Sequence, residues 1–307
     1  MRIAVMGSGG LGGFFGGRLA RGGADVVFVA RGAHLAALRA DGLTIESPED
    51  PFVLPTVQAT DDPASIGAVD IVLFTVKLWD TEAAARAIVP IVGPGTAVLS
   101  LQNGVQKDDM LRPILGDAPL MGAIAQIATT IARPGVIAQT GTMQRLVFGE
   151  FDGSRSARAE RFLAACLAGG IKAEIATDIR REIWQKFVFL VGLSASTCAT
   201  RSPIGPVRRN PHTRALLLGL MEEVVAVGRG HGVALADDFA ADRLAFIDTL
   251  PDGMVASMFH DLAAGRRLEL PWLSGGVVDL GATVGVPTPL NRTVRDILVL
   301  HAEGRPA

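Results

Sequence analysis

Short continuous apolar runs recur along the first half of the chain. Arg2–Met6, Val26–Ala30, Asp70–Lys77 and Thr96–Leu101 are such runs, and segments of helical period lie between them. Runs that are apolar throughout, rather than alternating, predict strands buried on both faces. Strands separated by helices predict a doubly wound parallel sheet. Helices are expected from Gly13, over His34–Ala40 and over Thr81–Val89, with brief extended pieces at Leu43–Ile45 and Val53–Val57. From Leu120 to Glu150 the pattern turns to long extended segments, Gly122–Thr130 and Met143–Phe148. Arg133-Pro134-Gly135 and Thr140-Gly141-Thr142 read as turns, and the whole as antiparallel strands finishing the sheet. A helix over Arg158–Ala168, an edge strand over Lys172–Ile175 and a cap at Thr177-Asp178 follow.

Beyond that cap the period is helical to the end. Ile179–Thr200 predicts a long, mostly apolar helix, and Arg201–Asn210 a proline-broken loop. Pro211–His231, Ala236–Leu250, Gly253–Ala264, Trp272–Gly285 and Thr288–Ala302 predict further helices, punctuated by glycine and proline. The expected architecture is α/β, with a doubly wound sheet domain over residues 1–176 and an all-helical domain over residues 177–307.

Composition narrows the function classes. The chain is 49% hydrophobic and 20% charged with a formal charge of −2, which fits a soluble globular protein and gives no basic field for nucleic acid or an anionic membrane. Cys166 and Cys198 suit neither a disulfide framework nor a metal cluster, and the five histidines show no metal-ligand spacing. The apolar start is too short for a signal peptide core, and Phe187–Leu193 falls far short of the ~20 residues that span a bilayer. A cytoplasmic protein without bound metal is expected.

Candidate chemistry begins at the first turn. Gly7-Ser8-Gly9-Gly10-Leu11-Gly12 matches G-x-G-x-x-G and lies between a strand and a helix, the context of a dinucleotide site. Gly7 permits the tight turn, Gly9 lets the backbone approach a diphosphate, and Gly12 lets the helix pack against the strand. The diphosphate would sit on free N–H groups at the positive end of the helix. After the second strand, where NAD sites carry a carboxylate, stands Arg31, and the five residues before it include no Asp or Glu. A guanidinium can hold a 2′-phosphate through two parallel hydrogen bonds, so the pattern favours NADP(H). Lys77 and Asn103 stand at the ends of two further strands, the edge where such sheets bind ligands. Lys186 lies within the apolar stretch Trp184–Leu190, and Glu269 within Gly265–Trp272, ahead of a helix. A lysine in a low-dielectric cleft can serve as a general acid near neutral pH. Snorkelling for Lys186 and a helix-start charge for Glu269 are the plain structural alternatives.

Several of these residues together resemble the ketopantoate reductase (2-dehydropantoate 2-reductase) family. The resemblance rests on RIAVMGSGGLGG, Thr75-Val76-Lys77, Gln102-Asn103-Gly104 and Trp184-x-Lys186. It extends to Ser257-Met258-x-x-Asp261, Gly265-Arg266-Arg267-x-Glu269 and Gly275, along nearly the whole chain. It implies a Rossmann domain, a helical domain, an active site in the cleft between them, and NADPH-dependent reduction of a small 2-oxo acid, by default ketopantoate to pantoate. It makes Lys186 the general acid and Glu269 a partner of the substrate hydroxyl or of Lys186. Ser257 and Asn103 would position substrate, Lys77 would lie by the nicotinamide and the substrate carboxylate, and Arg31 on the 2′-phosphate. Leu190, Ser194, Ile204 and Met254 stand where the family commonly has asparagines, a departure that points to a more apolar 2-oxo acid as the alternative substrate. A non-catalytic NADP(H)-binding sensor is a third reading, and the apolar helical half is compatible with a homodimer.

Overall fold

The computed structural model describes residues 1–305. The chain forms two compact units, Met1–Gln102 with Lys107–Glu182, and Asn103–Gln106 with the chain from Ile183 onward.

In the first unit the elements run β1 (Arg2–Met6), α1 (Gly10–Arg21), β2 (Asp25–Val29), α2 (Gly32–Asp41), β3 (Leu43–Glu46), β4 (Phe52–Leu54), β5 (Gln58–Thr60), β6 (Val69–Phe74), α3 (Thr81–Ile88) and β7 (Val92–Ser100). They continue with α4 (Lys107–Leu115), β8 (Gly122–Arg133), β9 (Val136–Gly149), α5 (Ala157–Ala168) and β10 (Ala173–Ile175). One sheet is parallel and five-stranded in the order β5-β2-β1-β6-β7. Its central strands bury both faces, as their continuous apolar runs require. On β1, Ile3 and Val5 join Phe14, Phe15 and Leu19 of α1, whereas Ala4 and Met6 join Ala84, Ala85 and Ile88 of α3.

The long strands β8 and β9 do not finish that sheet. They belong to a second, mixed sheet in which β9 runs antiparallel to β8 but parallel to β3 and β10. Nor is Thr140-Gly141-Thr142 a turn. The pairing steps from Gln144↔Ile127 to Thr140↔Ala128, so these residues form an irregularity inside one strand, with Gly141 at φ 70°.

Helix α1 lies between the two sheets, which explains why it is so rich in glycine. A methyl group on Gly16 would come within 2.6 Å of Phe28, on the parallel sheet. On the other side, a methyl on Gly13 would come within 2.8 Å of Ile137, and one on Gly17 within 3.0 Å of Leu43. Glycine inside a helix costs about 1 kcal/mol relative to alanine. Here it allows both sheets to pack closely on one helix.

Helix α6 (Ile179–Thr200), whose residues from Ile183 onward belong to the second unit, begins behind Asp178, whose Oδ1 accepts the Arg181 N–H at 2.9 Å. It is followed by α7 (Ile204–Arg209), α8 (Pro211–Gly230), α9 (Phe239–Asp248), α10 (Ser257–Ala263), α11 (Ser274–Thr283) and α12 (Pro289–Leu298). The expected loop over 201–210 therefore contains a helix. Pro203 caps it and Pro206 lies in its first turn, where a missing N–H forfeits no helical bond. The core of this unit gathers Trp184, Phe187, Val188 and Val191 of α6 around Leu217, Leu220, Met221 and Val224 of α8. No helix among the described residues is long and apolar enough to cross a membrane.

Candidate active site

Two clusters of candidate residues emerge, one in each unit. In the first, β1 ends at Met6 and the chain turns through Gly7, whose φ of 97° excludes ordinary side chains. A methyl group there would also come within 2.8 Å of Val76 Cγ1. Ser8 is buried, and its hydroxyl donates to the Val29 carbonyl at 3.1 Å, tying the turn to the end of β2. Thr75 donates to the Gly7 carbonyl at 2.7 Å, tying it to the end of β6. Gly10 backs on β8, since a methyl there would approach the Thr129 carbonyl at 2.7 Å, and one on Gly12 would run into Thr75 and the Gly7 carbonyl.

Gly9 is different. A methyl group there would meet nothing within 4 Å. Helix α1 starts directly after it with no side-chain cap and no acidic residue in its first turn. The first-turn N–H groups, from Gly10 through Leu11 and Gly12, have no helical carbonyl to bond, and the helix dipole adds positive potential. That combination fits the diphosphate of a dinucleotide.

Arg31 is exposed and caps the start of α2, just past the end of β2. His34, one turn on, accepts the Gly135 N–H on Nδ1 at 3.1 Å, which joins α2 to the β8–β9 turn. Partial burial holds the His34 imidazole below its usual pKa, against a smaller opposing hydrogen bond with the Ser8 backbone. Lys77 follows β6, exposed, with Nζ 5.6 Å from the centre of the Trp79 ring.

The second cluster lies in the helical unit and joins three residues far apart in sequence. Lys186 Nζ donates to Asn103 Oδ1 at 3.2 Å across 83 positions. Asn103 Nδ2 donates to Glu269 Oε2 at 3.3 Å across 166 positions. The asparagine amide is thereby oriented, with its carbonyl toward the ammonium and its NH₂ toward the carboxylate. A flip would set like against like at both ends. Lys186 is half-buried on α6, with Ile183, Trp184, Phe187 and Val188 buried around it. Glu269 is only 3% exposed, and its backbone is fixed by the buried Leu268 and Leu270 on either side. Its carbonyl accepts the N–H groups of Trp272 and Leu273, both at 3.1 Å. An ammonium and a carboxylate bridged by one amide can hold a proton at Lys186 and supply a fixed charge pair beside it.

Ser257 does not join this chain. It heads α10 with its side chain exposed and makes no hydrogen bond to Lys186, Asn103 or Glu269 among the described residues. Of the positions where asparagine is common in the resembling family, Ile204 is fully buried in the helical core. Leu190 and Met254 are partly buried against that core, and Ser194 is buried with its hydroxyl unbonded among the described residues. Sequence reading took Gln102 only as part of a motif and missed the charged residues Lys107 and Asp108 beyond the Asn103 segment. Gln102, Lys107 and Asp108 are all buried, although the two charges look like an ordinary solvated helix start.

The chain is similar to known proteins along nearly its whole length. Residues 3–153 match the family model described as ketopantoate reductase PanE/ApbA, and residues 178–301 match that of its C-terminal part. A 2-dehydropantoate 2-reductase of Halobacterium salinarum is 30% identical over 302 residues, covering 98% of each chain. Among solved structures, a PanE/ApbA family ketopantoate reductase from Ralstonia eutropha JMP134 is similar at 34% identity with a TM-score of 0.89, covering 98% of each chain. A 2-dehydropantoate 2-reductase from Geobacter metallireducens is similar at 29% identity with a TM-score of 0.91, covering 98% of this chain and 99% of that one. The chain belongs to the ketopantoate reductase family.

Proposed function

We propose that this protein reduces a 2-oxo acid to the 2-hydroxy acid with NADPH, and that its substrate is ketopantoate, giving pantoate. The observation that carries the reading is the Lys186–Asn103–Glu269 chain, in which a half-buried ammonium is aimed by an oriented amide. The residues before 177 take the cofactor and those from 177 onward carry the catalytic groups.

The open space at Gly9 and the uncapped start of α1 suit a bound diphosphate, and Arg31 suits a 2′-phosphate. When bound, the nicotinamide supplies the hydride that reduces the keto carbon. Lys186 donates its proton to the keto oxygen as negative charge develops there, and is left as a neutral amine that regains a proton after the product leaves. Asn103 accepts one N–H of the ammonium and so fixes the direction of the others. Glu269 holds Asn103 in that orientation and keeps negative charge close to the ammonium. Lys77 meets the substrate carboxylate, and Ser257 a polar group of the substrate.

A second reading keeps this chemistry and changes the substrate. Leu190 and Met254, apolar where the resembling family commonly has asparagines, pack partly buried against the helical core and would give a polar substrate tail no partner there. Burying a hydroxyl without a hydrogen bond costs about 1–3 kcal/mol, which favours a more apolar 2-oxo acid. Loss of nicotinamide absorbance with ketopantoate and with a panel of bulkier 2-oxo acids separates the two. The highest kcat/KM on ketopantoate is the expected result. A more apolar acid preferred by roughly ten-fold or more, the worth of about 1.4 kcal/mol, moves the assignment to the second reading.

A further inference from the structure

The short segment Asn103–Gln106 carries the middle residue of the Lys–Asn–Glu chain, and both of its ends are fastened to one buried serine. Ser100 closes β7 and is fully buried. Its hydroxyl donates to Gln102 Oε1 at 2.9 Å, on the near side of the segment. Its carbonyl accepts Lys107 Nζ at 2.6 Å, on the far side. Gln102 extends the network by donating through Nε2 to the Val76 carbonyl at 3.0 Å and to Thr81 Oγ1 at 2.8 Å. Lys107, 1% exposed, also pairs with Asp108 Oδ2 at 3.2 Å. Between the two fastenings, Gly104 takes φ 85°.

This arrangement is a poor way to gain stability. Lysine and aspartate are rarely buried, and a buried ion pair can often be replaced by apolar residues of similar size at no cost. Burial pushes Lys107 below and Asp108 above their ordinary pKa values, each shift opposed by the other's charge. Asp108 Oδ1 is moreover left without a hydrogen bond among the described residues. What such a network offers over an apolar plug is direction, because each bond fixes one backbone or side-chain group at the two ends of the segment.

We propose that Ser100, Gln102 and the Lys107–Asp108 pair are positioning residues that fix the backbone of the Asn103 segment and so aim the Asn103 amide at Lys186 and Glu269. The proposal rests on the reductase reading for its kinetic consequence.

The test replaces the pair with apolar residues, Lys107→Met with Asp108→Leu, in the full-length protein. The expected variant unfolds at an unchanged or higher temperature and binds NADPH as wild type does. Its kcat on the 2-oxo acid that wild type turns over falls roughly ten-fold or more, as a small misplacement of a catalytic group allows. Amide hydrogen exchange over residues 101–107 accelerates, whereas exchange in β1 does not. In an Asn103→Ala background the same double substitution lowers kcat no further, since its effect passes through Asn103. Undiminished kcat, or a loss that adds in full to that of Asn103→Ala, overturns the proposal. If wild type oxidises NADPH with no 2-oxo acid, the reductase reading is what fails. The exchange measurement then decides the clamp alone, with faster exchange over 101–107 upholding it and unchanged exchange overturning it. Gln102→Met, scored in the same assays, serves if the double variant does not fold.

Discussion

The glycine turn of the first unit offers a ligand its backbone, whereas the polar chain of the second unit offers side chains. At the turn, the groups that face a ligand are consecutive N–H donors, and the residues that matter are chosen for having little or no side chain. In the helical unit, an ammonium, an amide and a carboxylate come from positions 83 and 166 apart and meet through hydrogen bonds of 3.2 and 3.3 Å. The proposed recognition at the turn extends to any molecule with a diphosphate, because its chemistry is that of every helix start. The polar chain is directional, and in the proposed mechanism it moves a proton at one atom. Affinity for the cofactor and turnover of the substrate should therefore separate under mutation.

The largest separation is expected at Lys186. Lys186→Ala should lower kcat by about 10²–10⁴-fold, the worth of a positioned general acid, while NADPH titrated by fluorescence binds as before. Next comes Asn103→Ala, which leaves the buried Glu269 carboxylate without its amide partner. A loss of about 1–3 kcal/mol corresponds to roughly 5–150-fold in kcat/KM. At Arg31 the effect should be smaller and fall on the cofactor alone. Arg31→Glu should lower the preference for NADPH over NADH by roughly ten-fold or more, measured as the ratio of kcat/KM values, with kcat at saturating cofactor nearly unchanged.

Two glycines sharpen the comparison at the turn itself. Gly9→Ala points a methyl into space that the protein leaves empty, so it should cost at most about 1 kcal/mol of stability yet weaken NADPH binding. Gly10→Ala drives its methyl against the Thr129 carbonyl and should lower the unfolding temperature more than Gly9→Ala does. Equal effects of the two on stability, or none of Gly9→Ala on NADPH, would break the distinction.

The smallest effect concerns acid. His34 is held below its ordinary pKa of 6.5, chiefly by burial, so the unfolded chain takes up a proton there before the folded one does. Its contribution to stability is whole above that value and fades as the pH falls below it. Urea unfolding at pH 7.5 and 5.5 should show wild type losing more stability on acidification than His34→Asn.

The parallel sheet was legible in the sequence because strands buried on both faces leave unbroken apolar runs, and the glycine turn because its residues are contiguous. The second sheet was not. Its β3–β9 pairing joins Thr44 to Val136, and nothing local in either strand names the other. The helix over Ile204–Arg209 was hidden by Pro203 and Pro206, which break helices in their interiors but suit their starts. At the candidate site, Lys186 stood out as a charge within an apolar helix and Asn103 as a residue at a strand end. Their meeting with Glu269 could not be read from spacing, because it depends on how distant segments pack. Lys107 and Asp108 gave no signal, since two charges at a helix start are usually solvated.

The most direct test of the central claim mixes the purified protein, pre-bound to NADPH, with ketopantoate. Absorbance of the reduced nicotinamide and pantoate formed are followed together, beside Lys186→Ala carrying the same bound NADPH. The account predicts one pantoate for each NADPH oxidised, with the reaction nearly abolished in Lys186→Ala. NADPH that stays reduced in the wild type with ketopantoate and every other 2-oxo acid offered, or Lys186→Ala turning over at the wild-type rate, would contradict it.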